Sequence, residues 1–155
     1  MAITLRPMGD DEFARWLPKM RDGYAHDIAS NGGATEDEAL RKAIADIEQL
    51  FPAGQPSADQ LVFVIEADGE QVGELWLAER ETGLGHGLWV YDVHVEDAYR
   101  GRGYGKAAML LAEAEAHRRG LNRIGLNVFG GNEIARNLYR SLGYAENAVF
   151  MTKQV

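Results

Sequence analysis

The chain has 155 residues, enough for one domain with a buried core, and an ordinary balance of 46% hydrophobic and 26% charged residues. A formal net charge of −8 argues against a broad nucleic-acid or anionic-membrane surface. The absence of cysteine removes disulfide frameworks, thiolate metal ligands and a cysteine nucleophile together.

Residues 1–9 lack a charged start followed by an apolar run, so no signal peptide is expected. No apolar stretch approaches the roughly 20 residues of a membrane span. The expectation is a cytoplasmic protein with no nucleic-acid or membrane partner.

In chain order, "ITLRPM" reads as a short strand. "DDEFARWLPKMRDGYAHDIAS" reads as a helix, with Phe13, Trp16, Leu17 and Met20 at helical spacing. Asp10 or Asp11 is its expected cap, and Pro18 is expected to bend or divide it. "NGG" at Asn31 breaks the chain. "TEDEALRKAIADIEQLF" is a second helix, capped by Thr35 with Glu38 three residues on. Its predicted buried stripe is Leu40, Ala43, Ile44, Ile47 and Leu50. "LVFVIEADGEQVGELWLAE" is a hairpin turning at Asp68-Gly69. "GLGHGLWVYDVHVED" is a turn and a long strand. "KAAMLLAEAEAHRRG" is a helix closed by Gly120, "NRIGLNVFG" a strand, and "NEIARNLYRSLG" a helix closed by Gly143. "YAENAVFMTKQV" reads as terminal strand material. The order implies one mixed α/β domain over residues 1–155, with a hairpin-built antiparallel part and a parallel strand–helix–strand part.

The stretch "YRGRGYGKAAM", Tyr99 to Met109, stands between the long strand and a helix. Backbone N–H groups at a helix start lack intrahelical partners, and the helix dipole adds positive character. Glycines let the backbone close around a ligand. The corner therefore suits an anion, above all a phosphate or pyrophosphate. It is not a P-loop: Ala107 follows Gly105-Lys106 where a hydroxyl is needed, and position 100 is Arg. It is not a dinucleotide fingerprint either, since Lys106 replaces the third glycine. On pattern alone, a glycine-rich turn with solvated arginines is the competing reading.

Arg100-Gly101-Arg102-Gly103-Tyr104-Gly105 resembles the Arg/Gln-x-x-Gly-x-Gly/Ala pyrophosphate loop of the GCN5-related N-acetyltransferases. "LNVFGGNEIARNLYRSLGY" is similar to that family's second signature, with Asn132, Ala135, Leu138, Tyr139, Gly143 and Tyr144 on its positions. The element order fits over the whole chain, which further resembles a bacterial subgroup whose substrates are mostly undefined.

The resemblance implies an acyl-CoA N-acyltransferase fold, a twisted mixed sheet of about six to seven strands flanked by about four helices. It implies acetyl-CoA as co-substrate, in a gap between diverging strands. Val93 to Val95 would bind the pantetheine arm through their backbone, with the N–H of Val95 also facing the oxyanion. The loop Gly101, Arg102, Gly103, Tyr104, Gly105 and Lys106, with Arg100, would hold the pyrophosphate, and Asn132 would contact the pantetheine. Tyr139 would stand near the sulfur as acid or hydrogen-bond donor. No metal is implied.

Several of these residues carry a second reading. Tyr139 on an amphipathic helix also suits the core, and Asn132 also suits a helix cap. Strand alternation puts Asp92 and His94 on one face and Trp89, Tyr91, Val93 and Val95 on the other. His94 is either a base near neutrality or a satisfied buried histidine. It departs from the resembled subgroup, where that position is commonly acidic. Asp92 is read as orienting a backbone or substrate amine. Asn127 falls where other members carry a base and cannot serve as one, so a water-relayed base stays open. His26, His86 and His117 are scattered, without metal-ligand spacing.

The expected reaction moves an acetyl group to a primary amine of a small molecule, peptide or protein. Acceptor choice is expected on the first two helices, around Tyr24, His26 and Asp27. A non-catalytic acyl-CoA-binding module on the same fold is the alternative, and an unrelated phosphate-binding protein, such as a nucleotide-dependent one, a third. A homodimer through the terminal strands is left open.

Overall fold

The computed structural model describes residues 2–155. Its elements are β1 (Ile3–Pro7), α1 (Asp10–Gly32), α2 (Glu36–Leu50), β2 (Gln60–Ala67), β3 (Glu70–Glu81), β4 (His86–Val95), α3 (Tyr104–Arg118), β5 (Ile124–Leu126) and α4 (Glu133–Ser141). Short 3-10 turns at Pro52–Gly54 and Asp97–Tyr99 close α2 and β4. The sheet runs β1-β2-β3-β4-β5, antiparallel from β1 to β4 and parallel between β4 and β5.

Both sheet faces are covered, which is why β3 is buried on both sides over Val72–Ala78. On one face Ile65, Leu75, Leu77, Leu88 and Val90 meet Tyr104, Met109 and the alanines of α3. Ala108, Ala112 and Ala116 give α3 a small-residue stripe that lets the helix lie close to the strands. On the other face Phe13 and Trp16 of α1 and Ile47 and Phe51 at the end of α2 pack on Trp76 of β3. Trp76 meets Trp16 edge-on at 5.7 Å between ring centroids and Phe51 at 5.0 Å.

Several local expectations are met for the reasons that generated them. Thr35 caps α2 by accepting from the Glu38 N–H (3.2 Å), while Glu38 accepts from the Thr35 N–H (2.9 Å). The β2–β3 turn falls at Asp68-Gly69, both at positive φ (51° and 86°). Gly120 and Gly143 follow α3 and α4 at φ 72° and 91°.

Others are corrected. The sheet has five strands rather than six or seven, because residues 144–155 form no regular structure. The predicted strand "NRIGLNVFG" shortens to Ile124–Leu126. α1 is capped at Gly9, not at Asp10 or Asp11; those two join Glu12 in the first turn, where carboxylates favour the dipole. Pro18 does not divide α1, which runs unbroken through it from Asp10 to Gly32. The carbonyl it cannot serve is that of Ala14, and both residues lie on the exposed side, where that carbonyl is open to solvent. Ala39 replaces Leu40 in the buried stripe of α2, and Leu40 is exposed.

β3 and β4 approach closely at Gly73, where a Cβ would lie 2.0 Å from the His94 carbonyl oxygen. Gly73→Ala is expected to force these strands apart and destabilise the protein by about 3 kcal/mol or more. Equilibrium unfolding in urea, comparing midpoint and slope with the wild type, checks this.

Candidate active site

β4 pairs with β5 only at Leu88↔Ile124, Trp89↔Gly125 and Val90↔Leu126. Among the described residues, β4 then continues from Tyr91 to Val95 with no strand on that side, since β5 ends at Leu126. The two strands part and leave a gap.

A β-bulge sits where they part. Leu77 pairs with Val90 and Trp76 with Asp92, so Tyr91 is an extra residue on β4. Its ring stacks on Trp76 at 4.4 Å, and its hydroxyl accepts from Arg80 Nη1 at 2.7 Å. The bulge breaks the strict alternation expected of this strand. Val90, Val93 and Val95 share the α3 face, while Trp89, Asp92 and His94 lie on the face of Trp76. Trp89 and Tyr91 are therefore not on the face of Val93 and Val95.

The backbone beyond the bulge is ordered by its β3 side. Glu96 donates its N–H to Val72 O (2.9 Å), so successive peptides alternate and the N–H and C=O of Val93 and Val95 point into the gap. The Val95 carbonyl accepts from Arg100 Nε at 3.0 Å.

At this end of β4 the glycine loop forms the mouth of the gap. Gly101 and Gly103 sit at φ 77° and 82°, a conformation only glycine takes readily, and a Cβ on either would meet nothing within 4 Å. The first backbone bond of α3 runs from Ala107 N–H to Gly103 O, leaving the Gly105 and Lys106 N–H groups without intrahelical partners. Gly105 faces both flanks of the gap: a Cβ there would touch Leu138 of α4 at 3.6 Å and Val95 of β4 at 3.9 Å. The basic side chains are partly committed to the loop itself. Arg100 also pairs with Asp97 (2.9 Å), and Arg102 lies over the Tyr99 ring and bonds the Ala98 carbonyl. Lys106 is exposed on the first turn of α3.

α4 supplies the opposite wall. Asn132 caps it, its Oδ1 accepting from the Ala135 N–H at 3.2 Å. Tyr139 is partly buried against the α3-side core, and its ring lies 5.9 Å from that of Tyr144. Burial, and then the Asp92 charge, push its hydroxyl up to about 12.

The floor on the α1/α2 side is acidic. Asp92 and His94 stand beside Glu74, among the described residues the one charged side chain that is buried, which pairs across from His94 and accepts from Gln71 Nε2 at 3.0 Å. Asp27 approaches from α1. Burial first, then the charges of Glu74 and Asp27, push Asp92 up to about 7. Glu74 is also raised, by burial, against the opposing pull of His94; Asp27 is raised by burial. Sequence reading passed over Glu74, although a lone glutamate in "VGELWLA" on an otherwise apolar central strand was the available signal. Tyr24 is tied to Asp46 (2.9 Å), and His26 is exposed on α1.

The profile of the acetyltransferase (GNAT) family matches residues 26–144. The chain belongs to that family. It is 31% identical to an uncharacterized N-acetyltransferase, YdgE, of Bacillus subtilis, over the full length of this chain and 99% of that protein. The crystal structure of the putative acetyltransferase YycN from Bacillus subtilis matches with a TM-score of 0.91 at 27% identity, over 99% of each chain. A mycothiol acetyltransferase of Thermobispora bispora is 38% identical over 91% of this chain, which spans 45% of that longer protein. The GNAT chain is thus an acyltransferase with the acyl-CoA N-acyltransferase fold. Among the described residues, no helix is long and apolar enough to cross a membrane.

Because Asp92 binds its proton more tightly in the folded chain than the ordinary value of 3.8, its ionisation opposes folding. Its contribution to stability is full below about pH 4 and is lost as pH rises to about 7. Asp92→Asn is therefore expected to raise the melting temperature at pH 8 and to leave it little changed at pH 4, as read by thermal unfolding across that range.

Proposed function

We propose that the GNAT chain transfers the acetyl group of acetyl-CoA to the primary amine of a small molecule or peptide by direct attack in a ternary complex. The observation that carries this is the parting of β4 from β5, with the glycine loop at its mouth and Asp92 and Tyr139 on its walls. The loop and first turn of α3 (Arg100, Gly101, Arg102, Gly103, Tyr104, Gly105 and Lys106) take the pyrophosphate on backbone N–H groups. Val93 and Val95 take the pantetheine arm as an added strand, and Asn132 contacts it from the start of α4.

The acceptor arrives as a cation. A lysine-like ammonium has a pKa of about 10.4, so the neutral nucleophile costs roughly 4–5 kcal/mol at pH 7. Asp92, Glu74 and Asp27 attract that cation, and Asp92 takes its proton. With a pKa of about 7, Asp92 is about three units, or roughly 4 kcal/mol, a better base than an ordinary carboxylate. Glu74 keeps it so by repulsion, and His94 moderates the charge of Glu74. The amine nitrogen bonds the thioester carbon, the Val95 N–H faces the oxyanion, and the second proton that the nitrogen must shed to become an amide leaves to solvent as the intermediate collapses.

When the C–S bond breaks, the thiolate (about 8.5 by analogy with cysteine) needs a proton. Tyr139 at about 12 is too weak an acid to surrender one by itself: the mismatch is roughly 5 kcal/mol. Protonated Asp92 is strong enough. Tyr139 then relays the proton, accepting from Asp92 as it donates to sulfur, and the net transfer runs downhill by roughly 2 kcal/mol.

Thiol release from acetyl-CoA across an amine panel tests the reading. CoA binding without thiol release for any amine would favour the non-catalytic module instead. Tyr139→Phe is expected to lower kcat by about 10²-fold with little change in KM for acetyl-CoA. Asp92→Asn is expected to abolish the rise of kcat/KM with pH through about 7, because the base must be deprotonated to act; a profile of that variant checks it.

A further inference from the structure

Arg80, near the end of β3, is an exposed residue that the proposed chemistry does not use. It stands in register with Gly87 of β4, and the residue before it on the same sheet face is Ala78. With so little bulk beside it, its long side chain lies back along β4. The guanidinium carbon is 5.1 Å from the Trp89 ring centroid and 5.8 Å from that of Tyr91. Nε donates to the Glu81 carbonyl at 3.0 Å, and Nη1 donates to the Tyr91 hydroxyl at 2.7 Å. One planar cation therefore spans two aromatic rings and is oriented by two hydrogen bonds.

These two rings stand on either side of the point where the sheet forks. Trp89 belongs to the ladder with β5: it is in register with Gly125, where a Cβ would lie 3.1 Å from its ring. Tyr91 is the bulged residue just past the last pair, Val90↔Leu126. It also stacks on Trp76, the residue in register with Asp92. Beyond the bulge β4 is held by β3 alone, so the angle at which it leaves β5 depends on how the bulge is seated. The charges that act on Asp92 are those of Glu74 and Asp27, so Arg80 reaches it through geometry.

We infer that Arg80 is a positioning residue: by gripping Trp89 and Tyr91 together it clips the fork, fixing the angle between β4 and β5 and hence the placement of Asp92 and of the Val93 and Val95 peptides. The clip rests on the proposed use of the gap by the acyl donor. It needs the flat guanidinium, because an ammonium cannot lie along two rings and bond the hydroxyl at once.

Three readouts on Arg80→Gln and Arg80→Lys test it: calorimetric titration with CoA, the backbone amide spectrum, and thermal unfolding. Arg80→Gln is expected to weaken CoA binding by about 10-fold. The amides of Tyr91 through Val95 are expected to shift and those of β1 to stay in place. Because Arg80 is exposed, the melting temperature is expected to fall by no more than about 3 °C. Arg80→Lys is expected to behave as Arg80→Gln, although it keeps the charge. Full CoA affinity with unmoved Tyr91–Val95 amides in Arg80→Gln, or full recovery in Arg80→Lys, would overturn the clip. A wild type that binds no CoA would instead contradict the reading of the gap, and the amide shifts would then decide the role of Arg80.

Discussion

The architecture of the candidate site depends on where β4 and β5 stop pairing. Their parallel ladder lasts from Leu88 to Val90, and the next residue is the bulged Tyr91. An extra residue bends its strand and re-aims the side chains and peptides beyond it. Stacking on Trp76 and the bond from Arg80 hold the bulge in place. From there, Val93 and Val95 turn their peptide groups toward open space, while Asp92 and His94 drop onto the face of Glu74. The same divergence sets the glycine loop at the gap's mouth and α4 along its other wall.

The second constraint is electrostatic. Glu74 and Asp92 sit close together in a wall of low polarity, with Asp27 nearby, and each holds its proton more tightly than an ordinary carboxyl. Such an arrangement opposes folding at neutral pH and is retained where it serves chemistry. Under the proposed function, the same repulsion makes Asp92 a base matched to pH 7. It also gives the protonated form enough acidity to return the proton by way of Tyr139.

Much of this was legible in the residues. Thr35 with Glu38, Asp68-Gly69, Gly120 and Gly143 mark element ends through local chemistry that acts within a few residues. The glycine loop and the Asn132–Tyr139 signature marked the family through spacing. The hidden part is tertiary. A bulge has no obligatory residue, so nothing in "WVYDVHV" announces that Tyr91 breaks the alternation. Glu74 stood out in the sequence only as a lone glutamate among apolar strand residues, and its burial comes from the packing around it. Leu40 gave way to Ala39 because packing against α1, not periodicity, sets which edge of α2 faces inward. The terminal segment had strand composition, yet residues 144–155 form no regular structure, because a strand also needs an edge to pair with.

The central claim is that the gap between β4 and β5 receives the acyl donor. A ¹⁵N–¹H NMR titration of the protein with CoA tests it most directly. The account predicts that the amides of Val95 and of Gly101 through Lys106 shift together with Asn132, while those of β1 and β2 stay in place. Shifts confined to other parts of the molecule, or none at saturating CoA, would contradict it.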